Sequence, residues 1–313
     1  MRILVTGARG KVGAATVDVL HRAGHEVTAS DRVAPVFEAA PPWPRYVQAA
    51  VADAGDAFAI VAGQDAVIHA AALPDPQHNP PHVVFSNNVM ATFNVIEAAV
   101  RLGVPRVVHV SSETVPGFFF AERPFAPAYA PVDEEHPIAP QDPYALAKHF
   151  GEQLCDAAVA RSDVRCISVR PSWVQWEGNV ESNLGPLVRD PDAVSISWNS
   201  YVDVYDLAEL LRLAAESDLP GHEVFYAAQP DNAGGRALTD LVKRLHDVPV
   251  REHDRPDASG ISTAKAVRML GWNPQRSWRD YLGDDGRLRP EARERLERGE
   301  TGVQRGRAAG TPS

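Results

Sequence analysis

Tyr144 and Lys148, in the run Y-A-L-A-K, lie four residues apart, the separation that brings two side chains onto one face of a helix. An ammonium beside a phenol lowers its pKa, and a phenol that can take or give a proton next to a nicotinamide makes hydride transfer possible. The same spacing is common on solvated helix faces, so the pair acquires meaning only with a nucleotide site. The run T-G-A-R-G-K-V-G, Thr6 to Gly13, offers one. Gly7, Gly10 and Gly13 permit a tight turn and close backbone approach, and the helix that follows, opening at Lys11 and Val12, turns its N-terminus to a pyrophosphate.

These residues need a scaffold, and the chain reads as strands alternating with helices. Short Val- and Ile-rich runs at 3–5, 26–30, 46–50, 66–70, 106–110, 164–169 and 224–228 show little alternation, as strands buried on both faces should. Helical patterns follow from Val12 to Gly24 and at 56–62, 88–102, 143–160 and 204–216. The expected fold is α/β, a doubly wound parallel-sheet Rossmann fold with a small C-terminal substrate lobe. Residues 1–171, with 201–228 returning to them, form the dinucleotide-binding domain; 172–200 and 229–283 form the lobe over the sheet's carboxyl edge. Residues 284–313, rich in Arg and ending A-A-G-T-P-S, read as a frayed helix and disordered tail.

Composition narrows the function. The 313 residues are 44% hydrophobic and 23% charged, with a net charge of -10, the balance of a soluble globular protein. An acidic chain has no basic surplus to displace counterions, which disfavours nucleic acid. Cys155 and Cys166 form no metal-like spacing and read as small buried groups of a reducing compartment, so no metal is expected. The N-terminus enters a strand directly and no apolar run of membrane length is apparent, so the expectation is a cytoplasmic protein with no membrane partner.

Asp31 ends the second strand, where a carboxylate holds a ribose 2′-hydroxyl and repels a 2′-phosphate. NAD is therefore favoured, although Arg9 and Arg32 are placed to accept that phosphate and make NADP the lesser alternative. The motifs in order resemble the extended short-chain dehydrogenases/reductases of the NAD-dependent epimerase/dehydratase family, over essentially residues 1–283. The resemblance places Asp53, with Ala54, at the adenine and the Ala70, Ala71 and Ala72 of H-A-A-A beside the cofactor. It sets Asn87, of N-N-V-M-A-T, on the helix flanking the nicotinamide ribose. It implies that Ser112 bonds the reacting oxygen, that Tyr144 is the acid/base, and that Lys148 holds the ribose hydroxyls while lowering the phenol's pKa. It also implies a homodimer built on the helices at 88–102 and 143–160, with Val95, Ala98, Ala99, Leu146, Phe150 and Leu154 as an apolar stripe; the alternative is that this stripe packs on its own sheet.

The reaction is less legible. Glu113-Thr114 follows Ser112 where the family's dehydratases carry Asp-Glu, so dehydration is disfavoured. S-E-T-V-P-G resembles the UDP-galactose 4-epimerase run, with Pro116 in place of its tyrosine. Asn199-Ser200 replaces an arginine usual in nucleotide-sugar members, and the short lobe is more like that of uronate dehydrogenases. Ser172, Glu113 and Trp173 are candidate substrate contacts. Trp176 and Trp198 are either sugar platforms or core, and Arg255 is either a phosphate anchor or a surface arginine. The expected activity is NAD-dependent hydride transfer at a secondary carbinol of a sugar, sugar acid or similar polyol. The alternative is a UDP-sugar epimerase that keeps its NAD tightly bound. A redox-sensing binding protein on the same fold would have lost the catalytic groups that this chain retains.

Overall fold

The computed structural model describes residues 1–34, 45–299 and 303. In chain order the elements are β1 (Arg2–Thr6), α1 (Lys11–Arg22), β2 (Glu26–Asp31), β3 (Tyr46–Gln48), α2 (Ala54–Val61), β4 (Ala66–His69), α3 (Pro81–Leu102), β5 (Arg106–Val110), α4 (Pro143–Arg161), β6 (Arg165–Pro171), β7 (Val174–Gln175), α5 (Val180–Asn183), α6 (Gly185–Arg189), β8 (Val202–Asp203), α7 (Val204–Glu216), β9 (His222–Ala227), α8 (Leu238–Leu245), α9 (Ala264–Leu270) and α10 (Pro290–Glu297). Seven strands pair in the order β3-β2-β1-β4-β5-β6-β9, all in parallel.

The central strands bury both faces, which is why their sequences do not alternate, whereas the edge strand β3 has no buried residue. In β1, Ile3 and Val5 enter the core shared with α1 and α7, while Leu4 enters the opposite core shared with α2, α3 and α4. Successive strand side chains point to opposite faces, so one apolar run serves two layers. The lobe has cores of its own, one around Trp198, Leu238 and Leu241, the other around Tyr201, Trp278 and Leu282.

Three expectations change. Helix α3 is long and apolar enough to cross a bilayer, with a mean hydropathy of 1.3, but half of that window is inside the fold. Its buried amides are satisfied there: Asn94 donates to the Val51 and Ala52 carbonyls. Such a helix is apolar because it covers a sheet. The dimer stripe also divides: Val95, Ala98 and Ala99 pack on the sheet, while Met90, Phe93 and Phe150 are the exposed apolar groups. Last, the Arg-rich tail is not frayed throughout, because α10 buries Ala292, Arg295 pairs with Glu177 at 3.5 Å, and Val303 joins the main core. Residues 300–302 and 304–313 lie outside the described residues.

Candidate active site

The nucleotide groove forms where β1, β2 and β4 end. Gly7 has φ +69°, and a Cβ there would lie 2.7 Å from the Ala71 backbone; a Cβ on Gly13 would lie 2.2 Å from the Gly7 carbonyl oxygen. These contacts press the turn against both β4 and α1, a packing only glycine allows. Helix α1 begins after Gly10 with no side-chain cap, leaving first-turn N–H groups of Lys11, Val12 and Gly13 free of helical partners. That is the donor array a pyrophosphate takes.

The groove spans about 700 Å³ together with its open mouth and is lined by Thr6, Gly7, Gly10, Ser30, Asp31, Arg32, Ala49 to Ala52, Ala70 to Leu73, Asn87 and Ala91. The Asp31 carboxylate accepts the Arg9 and Val33 backbone N–H groups at 3.1 and 3.3 Å, so it is fixed at the groove's far end. The Ser30 hydroxyl in the same wall is buried with no partner among the described residues. Carboxylate, unpartnered hydroxyl and uncapped helix suit a dinucleotide's ribose and phosphates.

Several expected contacts are employed elsewhere. The Arg9 guanidinium donates to the Ala34 carbonyl at 2.7 Å, and the Lys11 ammonium to the Val174 carbonyl at 3.3 Å. Asp53 caps α2, its carboxylate accepting the Asp56 N–H at 3.1 Å, and the groove wall nearby is formed by residues 49–52. Ala54 begins that helix. Asn87 lines the groove, whereas Asn88 bonds both polar groups of the Leu73 backbone. His69, at the end of β4, is buried with its ring bonding the Thr6 and Thr92 hydroxyls at 2.8 and 3.3 Å; burial, with the Lys148 charge, brings its pKa down to about 3 and keeps it neutral.

The second half of the site joins the ends of β5 and β6 to the first turns of α4. Pro143 opens α4, and Asp142 caps it by accepting the Tyr144 and Ala145 N–H groups, each at 2.9 Å. Ser112 follows β5, its hydroxyl accepts the Thr114 hydroxyl at 3.0 Å, and it lies close enough to the Tyr144 phenol to favour its ionised form. The Lys148 ammonium, buried, donates to the Val110 carbonyl at 2.6 Å and stands 5.7 Å from the Tyr144 ring centroid. The structure thus brings Ser112, Tyr144 and Lys148 together. It does not lower the phenol as expected: burial pushes Tyr144 up to about 12, aided by the charges of Asp142, Glu113 and Asp75 and opposed by the Ser112 hydroxyl. Burial also brings Lys148 down to about 8, against the pull of Glu152.

Sequence reasoning overlooked a buried bracket behind this triad. Glu152, one turn past Lys148, accepts bonds from Ser111 at 2.6 Å and from Arg170 at 2.8 and 2.7 Å. It locks α4 to the ends of β5 and β6. Arg170, inside the apolar run C-I-S-V-R-P, was the available signal.

Of the substrate candidates, Glu113 and Ser172 meet, the serine hydroxyl donating to Glu113 Oε2 at 2.6 Å. Burial pushes Glu113 up to about 8. Trp173 is half exposed, but Trp176 and Trp198 are core, which settles them as packing groups. Asn199, where the arginine was expected, is fully buried and bonds the Ser195 N–H and the Ala233 carbonyl. Arg255 pairs with Asp257 at 2.7 Å on the surface of the lobe.

A Gly-rich cradle at β1 and a Ser/Tyr/Lys triad on β5 and α4 now stand at one sheet edge. The chain belongs to the NAD dependent epimerase/dehydratase family. The match spans residues 3–185. The chain is 25% identical to a UDP-glucose 4-epimerase of Corynebacterium glutamicum, over 88% of this chain and 91% of that one. It is 27% identical to a uronate dehydrogenase of Pseudomonas syringae, over 72% and 73%. A short-chain dehydrogenase/reductase superfamily protein from Agrobacterium tumefaciens, solved with bound NAD, shares the fold with a TM-score of 0.69, at 21% identity and covering 96% and 99% of the two chains. The chain is accordingly an enzyme of that family.

Proposed function

We propose that this protein is an NAD-linked dehydrogenase that oxidises a secondary carbinol of a free sugar or sugar acid and releases NADH. The observation that carries this reading is that six of the lobe's guanidiniums are already occupied. Arg236 is spent on the carbonyls of Leu187 and Ala193, and Arg244, Arg251, Arg255, Arg276 and Arg279 all pair with aspartates. A nucleoside diphosphate would have to compete for each of them.

Bound NAD supplies the hydride acceptor. Tyr144 takes the carbinol proton and returns it in the reverse direction, Ser112 orients the reacting oxygen, and Lys148 holds positive charge behind both. Asp31 favours NAD over NADP, since its charge would face a 2′-phosphate while Arg9 is engaged elsewhere. The exposed Met90, Phe93 and Phe150 on α3 and α4 support pairing of these helices with a second copy, and a monomeric mass by light scattering would overturn that. Buried free thiols at Cys155 and Cys166 support a reducing, cytoplasmic setting.

A UDP-sugar epimerase is the second reading, favoured by the likeness to the Corynebacterium enzyme along nearly the whole chain. A panel of hexoses, uronates and UDP-sugars, each with NAD and with NADP, separates the two. NADH formed from a free sugar, with NADP inferior, is expected; interconversion of UDP-sugar epimers without net NADH would sink the dehydrogenase.

A further inference from the structure

Glu113 is the first residue past Ser112, and its place is fixed from both sides. Its backbone N–H donates to the Pro171 carbonyl at 3.0 Å, and the Ser172 N–H donates to Ala227 at 2.8 Å. The Glu113 side chain therefore stands between the ends of β5 and β6, with the residue only 8% exposed and Ser172 3%. The Ser172 hydroxyl occupies Oε2. Oε1 has no partner among the described residues and is not sealed from solvent.

The surroundings decide what Oε1 carries. Tyr144, from α4, is the titratable group whose phenol feels the Glu113 charge; Ser172, from the end of β6, is neutral. No lysine or arginine among the described residues offsets the burial, which holds the carboxyl protonated at neutral pH. Because the serine donates into Oε2, the proton belongs on Oε1. The result is a neutral acid next in sequence to Ser112 and near the acid/base tyrosine, with one O–H left over once Ser172 has taken the other oxygen.

We infer that Glu113 determines specificity: its Oε1 donates a hydrogen bond to the carboxylate of a sugar-acid substrate, with Ser172 holding the other oxygen. An acid-to-carboxylate bond is charge-assisted and strong, whereas an ionised Glu113 would repel the same anion. A substrate hydroxyl could be met by either form, so it is the anionic substrate that gains from a neutral glutamic acid. This inference rests on the free-sugar dehydrogenase reading.

The test is steady-state kinetics of the full chain with NAD and matched uronates and aldoses, from about pH 6 to about pH 9, for wild type, Glu113→Gln and Glu113→Ala. NAD binding reports folding of each variant. For the wild type, the uronate KM should climb above about pH 8 by up to about tenfold per pH unit as Glu113 ionises, with kcat little changed. Glu113→Gln, a neutral donor that does not titrate, should show a flat uronate KM within a few fold of wild type at neutral pH. Glu113→Ala should raise that KM by about tenfold or more while sparing aldoses. Parallel pH dependence of wild type and Gln, or an unchanged KM in Ala, would overturn the inference. NADH formed from aldoses but not from uronates would overturn it and leave the dehydrogenase reading intact; absence of NADH from every free sugar would overturn that reading instead.

Discussion

Glu113→Gln should stabilise the protein against unfolding by an amount that grows with pH, in the absence of any substrate. The wild-type carboxyl is raised from its ordinary 4.5 to about 8 by burial. Between those values the folded chain holds a proton that the unfolded chain releases, so stability falls as pH rises. The contribution is full below the lower value and lost as pH passes through the upper one. At 1.36 kcal/mol per pH unit, the whole span is worth about 5 kcal/mol, and the interval from about pH 5 to about pH 7.5 accounts for about 3 kcal/mol. Glutamine does not titrate, and any difference in its bond to Ser172 is a constant offset. Urea unfolding of both proteins at several pH values should show the gap between them widening by about 3 kcal/mol over that interval. A gap independent of pH would mean that Glu113 holds no proton in the folded state.

Tyr144→Phe removes one hydroxyl at the reacting carbon and nothing at the groove, so turnover should fall by roughly 100- to 10,000-fold with NAD affinity nearly unchanged; a variant keeping about a tenth of the activity would refute its role. Because burial lifts this phenol to about 12, oxidation by the wild type should accelerate as pH rises. Arg170→Met should destabilise by about 3–5 kcal/mol by leaving Glu152 buried without its partner, and the double variant with Glu152→Met should recover much of that in denaturant titrations. Additive losses would show that the pair does not act as a unit.

What the sequence disclosed follows from how local each signal is. The run from Arg2 to Gly13 carries its own strand, turn and helix signals, so both the parallel sheet and the groove were legible there. Tyr144 and Lys148 were legible because a helix period links them. Glu152 and Arg170 were not, since only the docking of α4 on β6 makes them partners. The exchange of duties among groove residues was hidden for a similar reason: whether Asp53 meets a ligand or caps α2, and whether Asn87 or Asn88 grips Leu73, depends on side-chain direction within one or two residues. Trp198 shows the same limit, because nothing in S-W-N-S-Y reveals positive φ angles of 52° and 60° at Trp198 and Asn199 or a fully buried indole. The phenol's pKa moved opposite to expectation because burial outweighs an ammonium that is bonded to the Val110 carbonyl.

The central claim is that hydride leaves this site on a cofactor that is released. The direct measurement is the amount of NADH formed, followed by its near-ultraviolet absorbance, against the amount of sugar acid consumed when both NAD and sugar greatly exceed the enzyme. The account predicts equal amounts of NADH and oxidised sugar, continuing far past one turnover. NADH that never exceeds the enzyme concentration while a UDP-sugar is converted to its epimer would contradict it.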